Sequence, residues 1–175
     1  MTAARALVGF LVVTVAVILQ VTLFPHLAWH GIVPNLVLLV VAGAALTRGP
    51  QSGMLLGFLG GLVLDLAPPA DHVAGRWALA LVLVGYVVGR LRHDVPGLAG
   101  RPSAVQVVLA VAAGSFVGTS VFALTGLLLG DLSAGVPALL QVIVVGVAWD
   151  VLLTPFVLPP VMKLFHALEP RRVGP

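Results

Sequence analysis

The chain has 175 residues, 60% of them hydrophobic and only 9% charged, with a formal net charge of +3 and no cysteine. An ordinary soluble domain carries about 25% charged residues, so the composition points away from a soluble fold, and the missing cysteines exclude disulfides, thiol catalysis and Cys-ligated metal. The sequence pI near 10.7 fits contact with anionic lipid headgroups and not with nucleic acid, because the basic residues are split over several loops without interleaved aromatics.

Six apolar stretches follow one another, at about Ala6–Phe24, Pro34–Leu46, Gln51–Leu66, Trp77–Leu91, Ala104–Leu129 and Val136–Pro160. Crossings of roughly 20 residues each would take about 120 residues, which leaves short connections and no room for a soluble domain. The reading is a single all-α integral membrane domain over residues 1–175 with six transmembrane helices. The first stretch is longer than the roughly 7–15 residues of a signal-peptide core. Leu23-Phe24-Pro25-His26 lacks small residues at a cleavage position, so the segment is expected to be retained. Phe24-Pro25, Gly49-Pro50, Pro68-Pro69 and Arg101-Pro102 mark ends of spans, since proline cannot donate the next helical hydrogen bond.

The second stretch, opening on Pro34-Asn35, offers only about 13 residues before Thr47-Arg48-Gly49-Pro50. That is short for a full crossing, so it is expected to be tucked among neighbours or extended by Trp29–Val33. The third carries Gly53, Gly57 and Gly61 at four-residue intervals, with Asp65 continuing the same stripe. A small-residue stripe lets another helix approach closely, either within the chain or from a partner, and a scaffold reading assigns Gly53, Gly57, Gly61 and Asp65 to a partner interface. An acid at that depth has to face protein or a water-filled pocket. Gly114 to Thr119 in the fifth stretch repeats the pattern more weakly. The sixth contains Pro155, Pro159 and Pro160, so its end is expected to kink or to continue as an interfacial helix bearing Lys163 and Phe165.

Threading the six stretches back and forth places Arg5, Arg48, Arg90, Arg92, Arg101, Lys163, Arg171 and Arg172 on one side, with only Arg76 opposite; these are all nine basic residues. Basic residues near span ends are retained in the cytoplasm, so both termini are expected on the cytoplasmic side. The same threading puts Asp65 near the outer face and Asp150, roughly 20 Å inward along the sixth span at about 1.5 Å per residue, in the opposite leaflet. Asp150 is then a structural acid expected to pair with Arg90 or Arg92. Acids so far apart cannot share a proton as an aspartic protease dyad does. No Gly-x-Ser-x-Gly or His-Glu-x-x-His motif occurs, so neither an enzyme nor a cofactor is indicated. His26 and His30 are four apart, a weak metal spacing interrupted by a loop, and no histidine lies mid-span.

Three groups of residues carry a family resemblance. They are Pro34-Asn35-Leu36, then Gly57, Gly60-Gly61-Leu62 and Asp65-Leu66, then Gly75-Arg76-Trp77-Ala78-Leu79 leading to Gly85-Tyr86 and Gly89. Together they resemble the bacterial rod-shape-determining MreD family. The chain matches in length and span count throughout, in motifs over roughly Pro34–Gly89, and in hydropathy alone over the last two spans. The resemblance implies a non-enzymatic membrane component of the lateral cell-wall elongation machinery. Its implied partners are the single-span protein MreC, the RodA glycosyltransferase with its transpeptidase, and the MreB cytoskeleton. It also implies a fold like that of the substrate-binding S components of energy-coupling-factor transporters.

That fold supplies a rival, a small-solute carrier. Its pocket would need convergent polar side chains, and the spans hold few beyond Thr14, Gln20, Asp65, Ser115, Thr119, Ser120, Thr125, Gln141, Asp150 and Thr154. The outward loops hold only His26, Trp29, His30, Asp71, His72, Arg76 and Asp131. This inventory favours the scaffold.

Overall fold

Each apolar run folds as one α-helix. A computed structural model of the chain describes residues 3–29, 31–68, 73–100, 102–130 and 135–168, with side chains from Leu7 onward. The helices are α1 (Ala3–Thr22), α2 (Leu36–Arg48), α3 (Pro50–Leu66), α4 (Arg76–Asp94), α5 (Ala104–Leu128) and α6 (Val136–Ala167), with a short 3-10 turn at Phe24–Leu27. Among the described residues the only strand-like pairing is one bridge, in which Trp29 and Ile32 exchange backbone hydrogen bonds of 2.9 and 3.1 Å. Of these helices α5 and α6 are long and apolar enough to cross a membrane; α2 and α3 are apolar but shorter. The side chain of Arg5, and His30, Asp71, His72, Arg101, Asp131, Arg171 and Arg172, on which parts of the charge map and loop assignments rest, lie outside the described residues.

Local chemistry sets the helix ends. Pro50 opens α3 directly after Gly49, whose φ of 86° favours a residue without a Cβ. Ser103 and Gln106 form a reciprocal capping box at the start of α5, which satisfies two otherwise orphaned N–H groups. In α6 the three prolines remove donors, yet the helix runs unbroken past Pro160 to Ala167. Of the two expectations for this end, a continuing helix is the one found, and its Phe165 is buried, not interfacial.

The short α2 is the centre of the bundle. Every residue from Leu36 to Thr47 is buried, and α1, α3, α4, α5 and α6 all pack against it. A helix that is apolar all round has to be enclosed all round, and α2 meets that condition.

Helices α3 and α4 make the closest packing, and the glycine stripe is why. A Cβ added at Gly57 would overlap the Leu81 carbonyl, one at Gly61 would overlap the backbone of Ala78, and one at Gly53 would lie 2.8 Å from Gly85 O. Gly85 and Gly89 reciprocate against Gly53 and Pro50. This corrects the assignment of Gly53, Gly57 and Gly61 to a partner interface: the face is filled by the chain's own α4. The physical reason is reciprocity, since α4 carries its own four-residue glycine spacing at Gly85 and Gly89. Gly114 and Gly118 of α5 face Val88 and Val84 of α4 in the looser, side-chain-lined version of the same contact.

The ends of the bundle differ in charge. Arg48, Arg90, Arg92 and Lys163 lie together at the end where α2, α4 and α6 finish, and Arg76 lies at the other. At the basic end Arg48 sits 4.9 Å over the Phe165 ring and donates to the Phe165 carbonyl at 3.2 Å, tying α2 to α6.

Because α4 backbone fills the space beside Gly57 and Gly61, Gly57→Leu or Gly61→Leu should block folding. Gly57→Ala should lower stability toward the upper end of the roughly 1–3 kcal/mol typical of overpacking. Gly100, with open space around its Cβ position, should accept alanine within about 0.5 kcal/mol. Thermal unfolding of the detergent-solubilised variants gives the comparison, and equal melting of Gly57→Ala and Gly100→Ala would contradict this packing.

Candidate functional site

The chemistry of the interior is concentrated at two carboxylates, and each sits at the N-terminus of a helix other than its own. The first N–H groups of a helix have no partners within it and carry its positive dipole end. Buried away from water, they need acceptors from elsewhere in the fold.

Asp150 is fully buried on α6. Its Oδ1 accepts the Asn35 N–H at 2.8 Å, and its Oδ2 accepts the Ser115 hydroxyl at 2.6 Å. The Asn35 side chain in turn accepts the Leu38 N–H at 2.9 Å, and Gln20 of α1 accepts the Val37 N–H at 3.1 Å. Side chains from α1 and α6 and from the cap position thus converge on the first turn of α2, while Ser115 ties in α5. Pro34 precedes this cap, and its ring holds the chain extended into the helix start.

Asp65 performs the same task for α4. Its Oδ2 accepts the N–H groups of Gly75 at 2.8 Å and Ala78 at 3.1 Å, and its Oδ1 accepts that of Trp77 at 3.0 Å. Gly75 makes this possible by adopting a φ of 100° at the cap position, in the left-handed region that glycine enters most readily. Arg76, only 5% exposed, lays its guanidinium 4.0 Å over the Phe122 ring and donates to the Phe122 carbonyl at 2.8 Å. Trp77 stacks on the same ring at 4.1 Å. The start of α4 is therefore fastened to α3 by a carboxylate and to α5 by a cation and two rings.

Two expectations are corrected. Asp150 does not pair with Arg90 or Arg92: its oxygens are taken by Asn35 and Ser115, and Arg90 forms an exposed 3.7 Å pair with Asp94. Nor does Asp150 lie toward the basic end, because Ser115 is close to the middle of α5. Asp65 does not extend a partner-docking stripe, since its carboxylate is occupied by the start of α4. Its neighbour Arg76, read as an outward loop charge, is buried.

Gln20 and Ser115 are functional parts of this arrangement that the sequence marked only as polar positions. Their partners lie 17 and 35 residues away, so no local motif announces them. Of the weak His26–His30 pair, His26 faces the Leu23 carbonyl at 3.3 Å and His30 lies outside the described residues.

Comparison with protein families, curated proteins and solved structures finds no match. The function has to be argued from the geometry and from the motif residues themselves. That geometry is of a framework: most polar side chains of the helices are engaged internally. Thr14, Thr47, Thr119, Thr125 and Thr154 bond to carbonyls one turn back in their own helices. Gln20, Asp65, Ser115 and Asp150 serve the two helix starts.

The two acids should respond differently to amidation. An asparagine at 150 keeps an oxygen for the Asn35 N–H and offers Ser115 an amide, so Asp150→Asn should cost about 1 kcal/mol, whereas Asp150→Leu leaves two buried donors unpaired at about 1–3 kcal/mol each. At 65 three backbone donors share two oxygens, and an amide must turn a donor toward at least one of them. Asp65→Asn should therefore be the more damaging of the two asparagines. Unfolding midpoints in detergent measure the order, and a reversed order would contradict the donor assignment.

Proposed function

We propose that the chain is a six-span membrane scaffold of the MreD type, working without catalysis in the lateral cell-wall elongation machinery of the bacterial plasma membrane. The observation that carries this reading is the use made of the motif residues. Asn35, Gly57, Gly61, Asp65, Gly75, Gly85 and Gly89, which bear the resemblance, are the residues that cap the buried helix starts and allow α3 and α4 to touch. They hold a shape, which is what a protein that works by presenting surfaces to partners requires.

Immersion in lipid is supported by the exterior. Leu11, Val15 and Ile18 on α1, Phe58 on α3, Leu109, Phe116 and Leu124 on α5, and Leu152 and Phe156 on α6 are all well exposed, an apolar surface far larger than a soluble monomer tolerates. The grouping of Arg48, Arg90, Arg92 and Lys163 at one end supports a cytoplasmic assignment for that end, with both termini inside. An MreC-like single-span partner is read as docking by helix packing on the exterior of α1, α5 or α6, since the glycine stripe is taken. RodA, its transpeptidase and MreB would be reached through that assembly.

The solute-carrier alternative is disfavoured by what lines the interior. Cavities of about 170 Å³, walled by Trp29, Val145, Ala148, Trp149 and Leu152, and of about 440 Å³, between α5 and α6, are lined mainly by apolar side chains. In the larger one only Thr154 and Lys163, at its two ends, are polar, so polar groups converge on neither. A carrier for a charged solute needs such convergence.

Affinity purification from membranes, combined with rod-shape complementation, tests the proposal. Recovery of a single-span MreC-like protein and restoration of rods are expected, with reporters inserted within Arg92–Arg101 reading as cytoplasmic. Recovery of an ATPase module in place of that partner would favour the carrier, and a periplasmic reporter at this loop would overturn the six-span topology.

A further inference from the structure

We propose that the groove between the first half of α5 and the last half of α6 is a binding site for one anionic phospholipid of the leaflet at the basic end. The proposal rests on the membrane-spanning reading but not on the cell-wall assignment.

The groove follows from how α6 is held. Ser115 and Asp150 pin α6 to α5 at mid-height. Beyond that point α6 turns its buried residues to α2: Val161 approaches Gly43, and Phe165 sits under Arg48. Pro155 and Pro159, in this half of the helix, line the side turned to α5. Below this pin a cavity of about 440 Å³ lies between the two helices, lined by Gly100 and Pro102 at the same end as Lys163. Its volume falls within the roughly 300–1,000 Å³ of small-molecule sites.

The lining is graded along its length. Val107, Val108, Pro155, Leu158 and Met162 make the walls apolar, and Lys163 stands at the basic end. From Thr154 to Lys163 the groove runs about 14 Å at 1.5 Å per residue, close to the depth of hydrocarbon in one leaflet, half of about 30 Å. An acyl chain lying along the walls would place its headgroup phosphate at Lys163. That ammonium makes no ion pair among the described residues. Arg48, Arg90 and Arg92 make the same end electropositive, so the charge complements an anionic headgroup and not a zwitterionic one. A second apolar helix would fill the walls but would leave Lys163 unanswered.

The test is photocrosslinking of the full chain, reconstituted in phosphatidylcholine vesicles, with phosphatidylglycerol carrying a diazirine in its acyl chain. Labelling is expected on Val107, Val108 and Met162 above the level at the exposed residues Val105, Leu109 and Phe156. Unlabelled phosphatidylglycerol should compete better than added phosphatidylcholine. Lys163→Ala should weaken this preference about fivefold, the equivalent of about 1 kcal/mol for one lysine near a charged surface. Val108→Trp, which fills the groove while keeping the lysine, should abolish groove labelling in protein whose melting is unchanged. Equal labelling of groove and exposed residues, or equal competition by the two lipids, would overturn the site while leaving the membrane reading intact. Crosslinks between two copies through the groove would also overturn it. A chain that fails to float with the vesicles would overturn both readings together.

Discussion

A helix that begins inside a bundle must find acceptors for its first N–H groups without the help of water, and this constraint organises the molecule. Helix α2 is about 20 Å long at 1.5 Å per residue and is enclosed by five longer neighbours, so its first turn opens among side chains. Asp150, Gln20 and Asn35 provide the acceptors, each from a different part of the chain. The acid also presents its oxygens to the positive end of the α2 dipole. The acid is thus an element of construction, and because Ser115 holds its second oxygen, it fixes α5 and α6 to α2 at the same point. Leaving such donors unmet in a water-free interior would cost several kcal/mol each.

The second half of the architecture repeats this logic with different residues. Helices α3 and α4 approach until backbone touches backbone, which only glycine at Gly57, Gly61 and Gly85 permits. At that separation Asp65, one residue from the end of α3, reaches three N–H groups at the start of α4. Close packing and capping depend on one another here: the carboxylate is within hydrogen-bonding distance because the stripe is smooth. The Arg76, Trp77 and Phe122 cluster then extends the fastening to α5.

Much of this was legible in the sequence, and the gaps have identifiable causes. Apolar runs gave six helices, and punctuation by proline and glycine placed most of their ends to within two or three residues. The continuation of α6 past Pro160 was one of two readings open in the sequence, because prolines near a span end fit a kink as well as a helix that goes on. The shortness of α2 was visible from Pro34 to Arg48, and with it one reading in which the segment is tucked among neighbours; that all five other helices enclose it was not visible, since that depends on how they assemble. The four-residue glycine spacing announced close helix contact but not which helix makes it, because a stripe looks the same whether it meets α4 or a partner. Asp150 was misassigned to Arg90 or Arg92 by depth counting, a method that locates a residue along its own helix and ignores where a short neighbour begins.

As an account of function, the structure speaks for rigidity. Most buried polar side chains are turned toward helix starts and carbonyls, and the exterior of the helices carries many exposed apolar side chains. The central claim is that each acid caps a foreign helix, and amide hydrogen exchange resolved by residue tests it most directly. The N–H groups of Asn35, Gly75, Trp77 and Ala78 should exchange as slowly as mid-helix amides. Those of Gln51 and Ser52, at the start of α3 where no side chain caps, should exchange fast. Substitution at Asp150 should accelerate Asn35 alone among the four, and substitution at Asp65 the other three. Fast exchange of all four in the unmodified chain, matching Gln51 and Ser52, would contradict the account.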